Sequence, residues 1–272
     1  MSDIVVRRMR EDDLAAADRI NRTAFGTFFN LEDPMSFRGD GDVVPGRFRA
    51  NPDGAFVAES GSGLVACGFV MDWGSAGILG PLTVDVAHWS GGIGGAVMTE
   101  MIAYLDERGF ALQGLFTHPQ STRHVRLYEG FGFWMQRMTA VMEKAVAADA
   151  AMPDAARPFS ALDAAGKTVA LDACRAVANS VHPGLDLTRE IRSIDADGFG
   201  ETLLVERGGG IVAFACCHQG AGSEAGSAQA VVKFAAVKSG AGAAADFSTL
   251  LQASEAFASG RGVGRLVAGT NT

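Results

Sequence analysis

The sequence predicts an α/β protein in which a mixed sheet carries helices on its faces, and three observations predict it. Apolar runs of strand length alternate with helix-length segments through the first half. Hydrophobic residues make up 48% of the 272, the share of a chain that buries a core, and the length favours two domains. The same order of elements recurs faintly in the second half.

Taken in order, IVVRRM (Ile4 to Met9) reads as a strand and REDDLAAADRINRTAF as a helix, with acids in its first turn where the helix dipole favours them. Asn30 to Pro52 is polar, contains Gly and Pro, and gives only weak helical signals. Three strands follow, Gly54 to Ser60, Gly63 to Trp73 and Ala76 to Ala87, the first two joined by a Gly61-Ser62 turn. Four glycines, Gly91, Gly92, Gly94 and Gly95, then open a helix in which Ile93, Val97, Met101 and Tyr104 recur at helical spacing and Gly109 forms the C-terminal cap. A strand (Phe110 to Thr117), a short helix through STRHVRLYEG and a strand pair around FGFWMQRMTAVMEK complete the first half. The reading divides the chain into a domain over 1–146, an Ala/Pro-rich linker over 147–158 and a second domain over 159–272. Every Trp and both tyrosines precede the linker.

In the second half GETLLVERGGGIVAFACC reads as a hairpin, AQAVVKFAAV as a strand, AAADFSTLLQASEAFASG as a helix and GRLVAGT as a strand. Laying Gly262 over Gly109 puts Ala245 where Gly92 stands, and Gly240-Ala241-Gly242 falls too early to cap the helix in the same way. On this overlay an equivalent of Tyr128 would lie about nine residues past Thr272, so the last strand has an edge that a partner or missing elements would cover.

Composition excludes several classes. The net charge of −8 and the lack of a Lys/Arg cluster argue against a nucleic-acid surface. No apolar run reaches the roughly 18 residues of a membrane helix, and Met1 to Arg10 has no signal-peptide core. Cys67, Cys174, Cys216 and Cys217 have neither disulfide nor metal-ligand spacing, so buried free thiols, no metal and a cytoplasmic location are expected.

A strand, a Gly91-Gly92-Ile93-Gly94-Gly95 turn and a helix form the architecture of a phosphate cradle, since a helix start offers unpaired N–H groups and glycines let an anion reach them. A tight strand-to-helix turn would use the same residues. A P-loop would need a lysine where Gly94-Gly95-Ala96 has none, and a dinucleotide turn would follow the first strand.

LTVDVAHWSGGIGGAVM resembles the coenzyme segment of the GNAT acetyltransferase superfamily, Leu-x-Val-x-Pro followed by Gln/Arg-x-x-Gly-x-Gly, and STRHVRLYEGFGF resembles its second signature, Asn-x-x-Ala-x-x-Leu-Tyr-Glu-x-x-Gly-Phe. The two stand in the family's order and separation. The resemblance implies a GNAT-like acyl-CoA N-acyltransferase fold followed by a second, degenerate and incomplete GNAT-like domain. It implies an N-acetyltransferase moving acetyl from acetyl-CoA to a primary amine of a small molecule or peptide. Main-chain groups of Val84 and Val86 would take the pantetheine arm, Gly91, Gly92, Ile93, Gly94 and Gly95 the pyrophosphate, Ser121 a further coenzyme contact, and Tyr128 would be the acid toward the leaving thiolate. Trp89, Val86 and Ser121 depart from the pattern, standing where Gln or Arg, Pro, and Asn are usual. Arg123 and Arg126 read as a solvated helix face. The base is open among Asp85, Glu59, Asp72, His118 and water. A non-catalytic coenzyme-binding or scaffold protein is the alternative, and homodimerisation through the second half, or walling of the acceptor groove by it, is a further reading.

Overall fold

A computed structural model describes residues 4–270, which divide into two compact units: residues 4–39 with 43–136, and residues 40–42 with 137–270.

In the first unit the strands β1 (Val5–Arg8), β2 (Ala55–Ser60), β3 (Gly63–Trp73), β4 (Ala76–Val84) and β5 (Leu112–Leu115) lie in that order in one sheet. All neighbours are antiparallel except β4 and β5, which α3 (Ile93–Arg108) joins as a crossover and which run parallel. The period-2 alternation of β2 decides what each face holds. Phe56 and Ala58 pack with Val97, Met98, Met101 and Leu105 of α3, whereas Ala55 and Val57 pack with Ala17 of α1 (Leu14–Phe28) and Val44 of α2 (Val44–Ala50). The sheet is therefore covered on both faces. The predicted strands agree to within a few residues, except that β4 stops at Val84. Asp85 turns the chain there: its carboxylate accepts from the Ala87 amide at 2.9 Å and starts a 3-10 turn over Val86–His88.

α4 (Thr122–Glu129) follows β5, and here the expected terminal strand pair does not form. Residues 133–139 take no regular structure, beginning where Gly132 adopts φ +86°. Only β6 (Ala140–Ala145) is a strand, and it belongs to the second unit, pairing with β11 (Arg265–Thr270) from Ala140↔Thr270 to Ala145↔Arg265. The division by compactness accordingly falls after Gln136 instead of after 146. The edge of β11 left open by the sequence reading is covered by β6.

The second unit arranges its strands as β6, β11, β10 (Gly226–Val237), β9 (Gly210–Gly220), β8 (Gly200–Arg207) and β7 (Ala156–Pro158). β7 occupies the end of the expected linker. β10 and β11 are parallel across α7 (Ala243–Gly260), whose Leu250, Ala253 and Phe257 pack on Leu203, Val205, Ala213 and Ala215. α5 (Ala164–Val181) and α6 (Thr188–Asp197), for which no expectation was formed, bury Leu171, Cys174, Val177, Ile191 and Ile194. α5 contacts β9 and β10, and α6 contacts β8 and β9. All four cysteines are free and buried. Among the described residues no helix is long and apolar enough to cross a membrane, and no group of His, Cys, Asp and Glu has the arrangement of a metal site.

Beside α6 the second unit buries a charged network. Glu190 Oε1 accepts from Lys233 Nζ at 2.7 Å and lies 3.1 Å from His218 Nε2, and Lys233 also donates to Glu224 at 2.8 Å. Burial alone would raise the Glu190 carboxyl, but Lys233 and His218 outweigh it and hold it at about 2.

Candidate functional site

In the first unit β4 pairs with β5 only from Ala76 to Leu79, then continues to Val84 beside β3 alone. The two parallel strands part beyond Leu79, leaving the end of β4 with backbone groups that no described strand takes up on the β5 side. Leu82, Val84, Leu115, Leu127, Tyr128 and Phe131 all pack on the cluster containing Ile93, Val97 and Met98, so the parted strands, the start of α3 and α4 converge.

The chain enters α3 through two residues with positive φ, Ser90 at +67° and Gly92 at +79°. Gly92 is the N-cap, no side chain caps the helix, and its first turn holds no acid. The first amides of a helix have no intrahelical acceptor and sit at the positive end of its dipole, which together favour an anion. A Cβ at Gly92 or Gly95 would meet no atom within 4 Å, and one at Gly94 would rest on Val84 Cγ2 at 3.7 Å and Leu127 Cδ2 at 3.8 Å. The turn is thus open where a ligand would approach and snug where it meets β4 and α4, which fits a pyrophosphate held by main-chain N–H groups.

Trp89 fixes the geometry of this turn. Its indole Nε1 donates to the Val84 carbonyl at 2.8 Å, and the Arg123 guanidinium lies over its ring, 5.1 Å from the centroid. Arg123 and Leu127 are one helical turn apart, so the face of α4 that touches Gly94 also brings a cation toward the glycine turn. Tyr128 projects from the adjacent position, half-buried against the same cluster, and burial pushes its phenol above the ordinary value, which keeps it protonated at neutral pH.

Of the predicted site residues, Val84, Gly91, Gly92, Ile93, Gly94, Gly95 and Tyr128 come together here. Ile93 has a buried side chain and faces the turn only through its main chain. Ser121 is the N-cap of α4 without a capping side-chain bond. Val86 lies in the 3-10 turn instead of the strand, because the Asp85 cap ends β4 first.

Three of the candidate bases are engaged elsewhere. Glu59 receives Arg7 Nε at 2.9 Å, and that guanidinium holds its carboxyl below the usual range. Asp72 is buried and accepts from Arg108 at 2.7 Å and from the Gly74 amide at 3.1 Å. Asp85 is the cap just described. His118 is different: its ring stands 5.1 Å from Phe29 and 5.4 Å from Phe28 by centroids, at the end of the segment leaving β5. Arg123 and Arg126 are exposed, as a solvated helix face would be, but Arg123 also lies over Trp89, and the sequence reading drew no role from that contact or from His124. Both could have been found by stepping back one turn from Leu127 and Tyr128.

The start of α7 offers a comparison within the second unit. Gly242 is its N-cap with φ +95° and ψ −6°, against +79° and −3° at Gly92. The Gly240-Ala241-Gly242 segment therefore does cap the helix in the same way. The overlay missed it because α7 has 18 residues where α3 has 16. The electrostatics differ: Asp246 occupies the first turn of α7, buried and paired to Arg207 at 2.7 Å, and that guanidinium stands 3.0 Å from where a Cβ on Gly242 would be.

Residues 17–133, from α1 to just past α4, match the sequence model of the Acetyltransferase (GNAT) family. No curated protein matches the chain. Among solved structures it is similar to a putative acetyltransferase from Pyrococcus horikoshii, with 14% identity, 97% of this chain and 79% of that chain covered, and a TM-score of 0.64. It is also similar to a GCN5-related N-acetyltransferase from Sphaerobacter thermophilus, with 13% identity, 99% and 87% covered and a TM-score of 0.58. A GCN5-related N-acetyltransferase from Kribbella flavida has 15% identity, 99% and 64% covered and a TM-score of 0.56. At these identities the similarity is one of fold.

Proposed function

We propose, with the acetyltransferase family match as premise, that the first unit binds acetyl-CoA and transfers its acetyl group to a primary amine of a small molecule or peptide. The observation that carries this reading is the open glycine turn at the start of α3 with Tyr128 brought beside it on α4. The main-chain N–H groups of Gly92 to Gly95 hold the pyrophosphate, with Gly91, whose amide turns back to the His88 carbonyl at 3.4 Å, shaping the turn and Arg123 as the nearby cation. The unpaired edge of β4 up to Val84 takes the pantetheine arm, and Val86 contributes only from the turn. Acetyl-CoA supplies an activated thioester, which the amine attacks directly. Tyr128, kept protonated by burial, gives a proton to the departing sulfur. The acceptor's identity does not follow from the fold.

We read the second unit as a degenerate copy of the first. The strand order β7 to β11 parallels β1 to β5, each sheet has one parallel pair across a glycine-capped helix, and the Asp246–Arg207 ion pair takes the place at the second cap where an anion would bind. One feature favours the non-catalytic alternative: Trp89 already donates to the Val84 carbonyl, an acceptor that a pantetheine amide would otherwise use.

Calorimetry and thiol release separate the two. The enzyme reading expects acetyl-CoA to bind and an amine panel to release free thiol; binding without release supports the alternative. Gly94→Val is expected to abolish acetyl-CoA binding with the circular dichroism spectrum retained, since its branches must enter the seat between Val84 and Leu127; unchanged binding would remove the seat. Arg123→Gln is expected to weaken acetyl-CoA about tenfold, the loss of one charge-assisted contact. The weakening should shrink as salt rises and be partly restored in Arg123→Lys; a salt-independent loss would count against a charge role.

A further inference from the structure

Tyr128 accounts for the proton that the leaving sulfur receives, but not for the proton that the attacking amine must lose. Glu59, Asp72 and Asp85 are held in structural pairs or a cap. One turn before Tyr128, on the same face of α4, stands His124. Its ring lies 5.5 Å by centroids from Phe28, the last residue of α1, and the His118 ring stands 5.4 Å from the same phenyl. Among the described residues neither imidazole is tied by a hydrogen bond or ion pair.

We propose that His124 is the general base of this site, taking a proton from the acceptor amine while Tyr128 serves the sulfur one turn along the same helix face. The proposal rests on the acetyl-transfer reading above and deepens it. As the amine nitrogen bonds to the carbonyl carbon and the carbon–sulfur bond breaks, the nitrogen's proton passes to a ring nitrogen of His124 and the sulfur receives the Tyr128 proton. His124 then releases its proton to solvent and Tyr128 regains one from it, so the completed step moves one proton from nitrogen to sulfur with no other reactant.

The surroundings suit the two roles. Burial lowers the His124 imidazole below its ordinary value, with Arg123 on its own helix and His118 on the segment after β5 adding in the same direction, while α1 faces it with the uncharged Phe28. The neutral form that can accept a proton therefore prevails at pH 7. The same burial raises Tyr128, so two groups on one face are driven apart in the directions that a base and an acid require.

The test uses the full chain and His124→Gln, with His118→Gln beside it and thermal unfolding to confirm that each is folded. Acetyl-CoA binding by calorimetry is expected within about twofold of the parent for His124→Gln. Free-thiol release, measured with water as acceptor and with 2-phenylethylamine, spermidine and an alanyl tetrapeptide, is expected to fall roughly 100-fold at pH 7. In the parent, kcat/KM should rise with pH through a midpoint below about 6.5, and His124→Gln should lose that limb. The His124 ring proton, followed by NMR in the ligand-free protein, should titrate at that midpoint. A rate loss that follows His118 instead, an acid limb retained in His124→Gln, or a midpoint at or above the ordinary value would overturn the assignment. Binding with no thiol release from any acceptor overturns it together with the enzyme reading, whereas a His124→Gln protein as active as the parent overturns it alone.

Discussion

Tyr128→Phe is expected to reduce thiol release about 100-fold or more while leaving acetyl-CoA affinity within about twofold. The asymmetry follows from the position of the side chain. The ring contributes to the cluster that also holds Leu127, Val97 and Met98, and phenylalanine keeps that contact. Only the hydroxyl is removed, and with it the proton for the departing sulfur. A thiolate with an ordinary pKa of about 8.5 leaves poorly at neutral pH without such help, so the loss should ease as pH rises toward that value. Equal loss of binding and turnover would assign Tyr128 to packing, and no loss would leave the site without its acid.

Glu190→Ala should be the most destabilising single change at the buried network of the second unit, about 3–5 kcal/mol, because it strips Lys233 and His218 of the carboxylate they share. Glu224 also accepts from Lys233 and so leaves the amine one carboxylate, whereas His218 Nε2 loses the Glu190 oxygen 3.1 Å away. The transition of the second unit in urea, followed by hydrogen exchange on β9 and β10, measures the effect. Glu190→Gln, which keeps an oxygen acceptor, should lose less. The pH dependence has a definite sign. Glu190 is held at about 2 against an ordinary 4.5, so its contribution is complete above about 4.5 and is lost as pH falls through that range toward 2. Acid unfolding that begins at the same pH in Glu190→Gln as in the parent would show that the network does not set it.

The first sheet was legible because each of its signals is local. Apolar runs of strand length, the first two joined at Gly61-Ser62, mark β2, β3 and β4, and Gly109 at φ +65° ends α3 as a glycine C-cap does. The glycine turn and Tyr128 were legible for the same reason, each lying in a short stretch with its own pattern. What stayed hidden depends on partners distant in sequence. Nothing near Arg123 or His124 announces Trp89 or Phe28 as neighbours. The engagement of Glu59 by Arg7 spans 52 positions. α5 carries a helical repeat of its own in Leu171, Cys174 and Ala178, but α5 and α6 lie outside the hairpin, strand and helix that resemble the first half.

The strand Ala140–Ala145 precedes the compositional shift yet hydrogen-bonds beside the final strand, so order along the polypeptide and order across the sheet disagree. A chain severed at that shift would give the strand to the wrong fragment. The piece beginning at 147 would carry Arg265–Thr270 with a bare row of amides and carbonyls, a template for capture by any extended peptide. The piece ending at 146 would trail six residues whose side chains are exposed already and which have no partner in their own sheet. Severed after Gln136, each sheet keeps all the strands it bonds. Inheritance of the two halves as separable modules, whether by recombination or at the bench, thus turns on a ten-residue difference that composition alone places on the wrong side.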